Sequence, residues 1–250
     1  MRKNKTSTRK TARDNKRHSG INIGRWFLKL SLWAIYGIFL YQIWLLFHVL
    51  YWKHNDPQST AFMERQLEIL RADHAGTTLQ HQWVSYQHIS DEIKRAVVAA
   101  EDSQFLQHHG FDYDALWNAF QKNLAQGSIT AGGSTISQQL AKNLFLSDNK
   151  SFLRKAQEAM ITVMLEQVMS KQRILEIYLN VIEWGNGVFG VEAAARHYFG
   201  QSAAALAPHQ AALLAAMIPR PRYYDDNRDS LHLLKKRDIL LKRARSAKIP

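Results

Sequence analysis

The chain has 250 residues, enough for one core-forming domain with appendages, and carries a formal charge of +12. Ten of its Lys and Arg fall in residues 1–29 against one acid, Asp14, which leaves 23 bases and 20 acids, a net of +3, for the other 221 residues. The basic excess is therefore a tail, and with no basic helix carrying interleaved aromatics and no zinc-finger spacing, nucleic acid is excluded as a partner. The absence of cysteine excludes disulfides and thiolate chemistry and leaves an oxidising compartment open.

Residues 1–20 are dominated by Lys, Arg, Ser, Thr and Asn, a composition expected to stay disordered. Residues 30–52 contain no Asp, Glu, Lys or Arg. A helix of that length reaches about 34 Å, enough to cross a hydrocarbon core of roughly 30 Å. Trp26, Trp33, Tyr51 and Trp52 stand where interfacial anchors are expected. Arg25 and Lys29 flank the run on its N-terminal side, which puts the N-terminus in the cytoplasm and everything after Lys53 outside. The run is long for the apolar part of a signal peptide, and no small-x-small site follows it, so a retained anchor is favoured over a cleaved signal. The expected divisions are a cytoplasmic basic tail (1–29), a transmembrane helix (30–52), a juxtamembrane connection (53–82) and a mostly α domain (83–250).

Within the connection, 62–71 has helical spacing, and 83–89 alternates weakly as a short extended segment would. Ser90-Asp91-Glu92 starts a helix, with its cap and acids at the favourable end. Ile93, Val97 and Glu101 share one face of it, so Glu101 continues an apolar stripe. A carboxyl there is desolvated and its pKa rises toward proton-transfer work; the alternative is a helix-end carboxylate turned to water. Gly110 is expected to end this helix, with the paired His108 and His109 capping or packing rather than binding metal. A short helix over 113–126 should stop at Gly127.

The stretch 132–143, Gly-Gly-Ser-Thr-Ile-Ser-Gln-Gln-Leu-Ala-Lys-Asn, reads as a glycine turn feeding a helix. Ser134 or Thr135 can cap it. Ile136, Leu140 and Leu144 should face the core, while Ser134, Gln138 and Lys142 line roughly the opposite face. Hydroxyls, amides and one Lys behind a helix N-terminus suit a groove for a hydroxyl-rich, anionic ligand; a solvated face is the alternative. The span 156–169 is apolar nearly all round and is expected in the core. Glu158 lies four residues after Arg154 and could pair with it. Ser170 caps a helix over 172–180, 188–199 reads as a small-residue helix, and Pro208 opens another that Pro219 and Pro221 stop. The last segment, 230–248, is a basic amphipathic helix, suited to anionic headgroups or simply to solvent.

Two motifs are decoys. Residues 185–190 match G-x-G-x-x-G, but a helix rather than a strand is expected before them, so a nucleotide site is rejected. Ser147-Asp148-Asn149-Lys150 fits both S-x-x-K and S-D-N, yet one serine cannot fill both places and Lys-Thr-Gly is absent.

Five runs, in one order, resemble the peptidoglycan glycosyltransferases of bacterial cell-wall synthesis. They are Glu101-Asp102-Ser103-Gln104-Phe105 with His108 and Gly110; 132–140 with Lys142 and Asn143; Arg154-Lys155 with Glu158; Ile174-Leu175-Glu176 with Tyr178-Leu179-Asn180; and 185–190 running to Tyr198-Phe199. Together they span about 83–224, and the chain is similar to the monofunctional biosynthetic form, with one anchor and no transpeptidase domain. The resemblance implies a mostly α, lysozyme-like, two-lobed glycosyltransferase domain behind one transmembrane helix, with a small membrane-dipping region. It implies polymerisation of lipid II, with the growing glycan chain and the membrane as partners alongside divisome or elongation-complex proteins. The site would be the outer face of the bacterial inner membrane. Glu101 matches the family's catalytic base, and Glu158 its second carboxylate, whose role extends to positioning or to holding a divalent cation such as Mg or Mn. Lys142, Arg154 and Lys155 match the cations that meet the diphosphate. Ser134, Gln138, Gln139 and Asn143 match the groove. Lys150 stands where the family often has Arg; it keeps the charge without the bidentate fork and ranks below Lys142. A lytic enzyme on the same fold and a catalytically silent scaffold are the rivals. A hydrolase has no diphosphate to stabilise, which sets Lys142, Arg154 and Lys155 against the first.

Overall fold

The computed structural model describes residues 23–127, 132–146 and 151–250. Most of the basic tail, Lys150 and the 147–150 decoy lie outside the described residues. Two compact units are present, residues up to Ile43 and Trp44–Pro250.

Helix α1 (Ile23–Trp52) contains a 29-residue span, 24–52, long and apolar enough by length and composition to cross a membrane, with Arg25 and Lys29 near its start. In the first unit its side chains are exposed, with Trp33 at 70% and Ile35 at 62%. The last turns of α1 belong to the second unit, where Leu45 and Val49 are fully buried.

In the second unit α2 (Ala61–Asp73) starts at a Thr60 cap whose side chain accepts from the Met63 N–H. Strand β1 (Gln80–His81) follows. The extended run expected over 83–89 is instead a 3-10 turn at Tyr86–His88. Glu176 on a later helix accepts the Tyr86 N–H at 2.8 Å, a tertiary bond that short-range alternation cannot report. Helix α3 (Asp91–Glu101) buries Ile93, Val97 and Val98. It ends at Glu101, not at Gly110. Asp102 leaves the helix with φ −161° and turns its carboxylate to a later helix, and that partner rather than a glycine stops α3. Helix α4 (Tyr113–Gln126) closes on Gly127 at φ +63°.

Helices α5 (Ile136–Phe145), α6 (Phe152–Val168) and α7 (Lys171–Val181) come next. Ile136, Leu140 and Leu144 point inward as their spacing predicts. Helix α6 is not buried all round. Ile161 and Leu165 are fully buried, but Met160 (43%) and Val163 (47%) are exposed, because only one face meets α5 and α7. Strands β2 (Glu183–Gly185) and β3 (Val188–Phe189) form an antiparallel hairpin, and β1 pairs with β3 in parallel (Gln80↔Val188). A strand, not a helix, therefore directly precedes the glycines of 185–190, and the helix expected from 188 begins two residues beyond β3.

Helices α8 (Val191–Phe199), α9 (Pro208–Met217), α10 (Pro221–Asp226) and α11 (Leu231–Ala244) complete the unit. Helix α11 packs on α9 and α3 through Leu233, Leu240 and Ala244, so the basic terminal helix is a core element with a charged outer face. The packing has two sides. One joins α2, α6 and α7 around α5; the other joins α3, α9 and α11.

Candidate active site

Helix α5 begins with a capping box. Thr135 Oγ1 accepts from the Gln138 N–H, and Gln138 Oε1 accepts from the Thr135 N–H at 3.1 Å. Thr135 also donates to the Gly110 carbonyl at 2.7 Å. Gln138 is thereby buried and spent on the cap, which corrects its expected place on a groove wall. Thr135 rather than Ser134 is the cap, and Ser134 lies exposed ahead of it.

The first turn of α5 also receives Asp102. Its carboxylate accepts from the Ile136 N–H at 3.0 Å and is bonded by His108 Nε2 at 2.9 and 3.1 Å. The Gly110 N–H donates to His108 Nδ1 at 3.1 Å, leaving Nε2 as the ring's donor to Asp102. His108 is thus a packing residue. Gly110 has φ +94°, and a Cβ there would sit 2.7 Å from the Thr162 methyl. This set pins the end of α3 to the start of α5.

Glu101 is held from the next turn of α5. Gln139 Nε2 donates to its Oε2 at 2.8 Å, and Gln139 Oε1 accepts from the Tyr178 hydroxyl at 2.9 Å. The Tyr178 bond orients the amide, so its NH2 faces the carboxylate. Burial pushes the Glu101 pKa up; Gln139 and Lys236 on α11 pull it down, and Asp102 adds to the rise. Burial also raises Tyr178, with Glu101 and Asp102 adding to it, so its hydroxyl stays a donor. Lys236 is lowered by burial, opposed by Glu101, and its Nζ donates to the Ala216 carbonyl at 3.4 Å.

A groove of about 260 Å³ runs along this helix, lined by Gln139, Lys142, Asn143 and Tyr178 on one side and by Ile218 and Pro219 on the other. Asn143 Nδ2 bonds the Gln139 carbonyl at 3.0 Å. The Lys142 ammonium lies 6.0 Å from the Phe62 ring centroid. A second groove of about 540 Å³ shares Pro219 and carries Arg220, His232 and Lys236.

The other carboxylate is on α6. Arg154 Nη1 donates to Glu158 Oε2 at 2.8 Å, and Lys155 Nζ donates to Oε1. Glu158 is 3% exposed, and Arg154 Nε is buried with no partner among the described residues. Both Glu158 oxygens are engaged by cations. A divalent ion needs several free oxygen donors, and no group of three or more His, Asp and Glu side chains suited to a metal occurs among the described residues. The cation expected near Glu158 does not fit this donor set.

Tyr178 and Lys236 are the residues the structure adds beside Glu101 to which reading the sequence gave no role. Tyr178 reads as core by its helical spacing, and Lys236 as one base in a basic helix. The glycines of 185–190 hold no nucleotide. A Cβ on Gly185 would lie 2.1 Å from the Tyr198 hydroxyl and 3.0 Å from an Asp225 carboxylate oxygen, so an acid stands there, not a phosphate cradle.

A buried carboxyl of raised pKa beside a polar, cation-bearing groove on a two-sided helical fold is an arrangement suited to acid–base work at a glycosidic centre. The family model for transglycosylases matches residues 68–245. The chain is 56% identical over 226 residues to a biosynthetic peptidoglycan transglycosylase of Nitrosospira multiformis, covering 90% of this chain and 98% of that one. It is 54% identical over 241 residues to the protein so named in Nitrosomonas eutropha (96% and 98%). A third, in Laribacter hongkongensis, is 53% identical over 227 residues (90% and 99%). The chain belongs to the transglycosylase family, and its fold is of the lysozyme-like, mostly α kind.

Proposed function

We propose that the protein polymerises lipid II into β-1,4-linked glycan at the outer face of the bacterial inner membrane. The observation that carries this reading is Glu101, a carboxylate raised by burial and held by Gln139 beside the Lys142 groove. Glu101 removes the proton from the 4-hydroxyl of the acceptor GlcNAc. That oxygen attacks C1 of the donor MurNAc, the C1–O bond to the pyrophosphate breaks, and the anomeric centre inverts. A raised carboxylate pKa suits a base that must take an alcohol proton as the bond forms.

Negative charge develops on the departing pyrophosphate, and Lys142, Arg154 and Lys155 are the cations assigned to it. The Arg154 Nε, a buried donor without a partner among the described residues, supports this assignment. Glu158 holds Arg154 and Lys155 in place and acts through them. Asn143 serves the groove. Lys150 keeps a lesser place in the same cation set, from its sequence position.

An anchored enzyme is expected to meet a lipid-linked substrate at the bilayer surface. Helix α1 supplies the anchor, and the basic tail sets the N-terminus in the cytoplasm and the catalytic domain in the periplasm. Apolar side chains exposed on α4 (Trp117 60%, Phe120 56%, Leu124 73%) and in the first turn of α6 (Phe152 87%, Leu153 80%) suit contact with acyl chains. Proteins of the division or elongation machinery are the partners this reading calls for.

The test uses the purified full chain with lipid II, with and without a muramidase. Muramidase-sensitive polymer from the wild type and none from Glu101→Gln is the expected result. Degradation of preformed glycan without synthesis would establish a lytic enzyme instead, and neither activity would establish a scaffold.

A further inference from the structure

Arg173 lies outside the groove, yet all its hydrogen-bonding nitrogens are engaged. Nε donates to the Trp52 carbonyl at 3.0 Å. Nη2 donates to the Asn55 carbonyl at 2.6 Å and to Asp56 Oδ1 at 2.9 Å. Nη1 donates to Glu176 Oε2 at 2.8 Å. The guanidinium carbon sits 5.4 Å from the Trp83 ring centroid, and the side chain is 13% exposed. Glu176 is itself fixed, since its other oxygen accepts from the Tyr86 N–H.

The acceptors on one side all belong to the stretch where the chain leaves α1. The last carbonyls of a helix have no partners within it, and a cation there is favoured by the helix dipole. Arg173 thus caps the C-terminal end of the membrane helix from a helix of the catalytic unit. A second contact lies close by. The Trp52 ring is 5.1 Å and the Trp44 ring 6.4 Å from Phe145, and Leu45 and Val49 are fully buried in the hydrophobic core. Phe145 is the last residue of α5, which carries Gln139; Arg173 is on α7, which carries Tyr178. Both handholds on the anchor's end therefore fall on the two helices whose side chains hold Glu101.

We infer that Arg173 is a positioning residue, which locks the last turn of α1 and the residues that follow it onto α7, so that the groove stays close to the point where the chain leaves the bilayer carrying its substrate. This rests on the lipid-linked reading above. A loose tether would leave the groove sampling many positions, few of which meet a head group held at the interface. Restricting that freedom raises the effective concentration of the reacting groups. A residue acting this way matters for a substrate confined to the membrane and not for one arriving from water.

The experiment uses the full chain in liposomes with two substrates: long-chain lipid II in the same bilayer, and a short-chain, water-soluble lipid II added to the aqueous phase. Arg173→Met should slow polymerisation of the bilayer substrate by about tenfold and that of the soluble one by less than about twofold. Asp56→Asn leaves the guanidinium its other acceptors and should give a smaller loss of the same pattern. Because the chain has no cysteine, spin labels on cysteines introduced at the exposed His54 and Gln172 report the clamp directly. Their distance distribution should be narrow in the wild-type background and broad with Arg173→Met. Equal losses on both substrates, no loss on either, or an unchanged distance distribution would overturn the positioning role. A wild type that makes no polymer from either substrate would instead overturn the glycosyltransferase reading.

Discussion

In the proposed reaction Glu101 is the base, a carboxyl whose neighbours act in opposite directions. Burial favours its neutral form, while the Gln139 amide and the Lys236 ammonium favour the charged form that a base requires. Glu101→Gln should lower polymerisation by about three orders of magnitude, within the range spanned by general-base removals. It should also raise the melting temperature at neutral pH. The sign follows from linkage: with the folded pKa above the unfolded one, the native state binds the extra proton, so stability falls as pH rises through that interval. Replacing the carboxylate by a neutral amide removes this penalty. Calorimetry of both proteins at pH 7 checks it. Since the base works only when ionised, wild-type activity should fall as pH drops through the raised Glu101 pKa. Gln139→Leu and Lys236→Met each remove a group that lowers that pKa, so each should move the acid limb of the pH–rate profile upward. A limb that stays in place would detach these residues from the base.

The critical element is α5, because its first two turns receive both ends of the site. The Thr135 cap, the Asp102 bond to the Ile136 N–H and the Gln139 bond to Glu101 all fall within five residues. Thr135→Ala removes the cap oxygen and leaves the Gly110 carbonyl without its donor. A loss of about 1–2 kcal/mol in urea unfolding is expected, with activity falling further than stability because the Glu101 partner moves with the helix. The same spacing that made α5 recognisable misassigned Gln138. Periodicity reports which face a residue is on, and a side chain one turn from a helix start can curl back to the cap instead of facing outward.

At the scale of the whole molecule, two structures brace the groove from outside it. One is the end of α1 on α5 and α7. The other is the β2–β3 hairpin, where the one proton of the Tyr198 hydroxyl is shared between Asp225 at 2.9 Å and the Trp184 carbonyl at 3.1 Å, and Asp225 accepts from the Asn186 N–H. Gly185 leaves room for that hydroxyl, so Gly185→Ala should cost about 1–3 kcal/mol through overpacking. Thermal unfolding measures it, and a neutral effect would show that Tyr198 can step aside. The hairpin also places Glu183, clamped by Arg222 Nε at 2.8 and 3.1 Å, on the wall of the groove that Lys142 lines.

Patterns of short range were legible in the chain itself. The apolar run of α1, the inward faces of α3 and α5, the Ser170 and Pro208 helix starts and the Gly127 stop all follow from local spacing and backbone preference, which act within a few residues. The order of the motifs likewise pointed to Glu101, Lys142, Arg154 and Glu158 as the residues to test. Tertiary structure decided what depends on partners distant in sequence. Asp102 ends α3 because its bond partner is 34 residues away. Tyr178 orients the amide that holds Glu101 across 39 residues, and the Lys236 charge acts on Glu101 only because α11 packs on α3. Arg173 grips a segment more than a hundred residues before it. A pKa or a clamp is set by what surrounds a side chain in space, and only the folded packing brings those surroundings together.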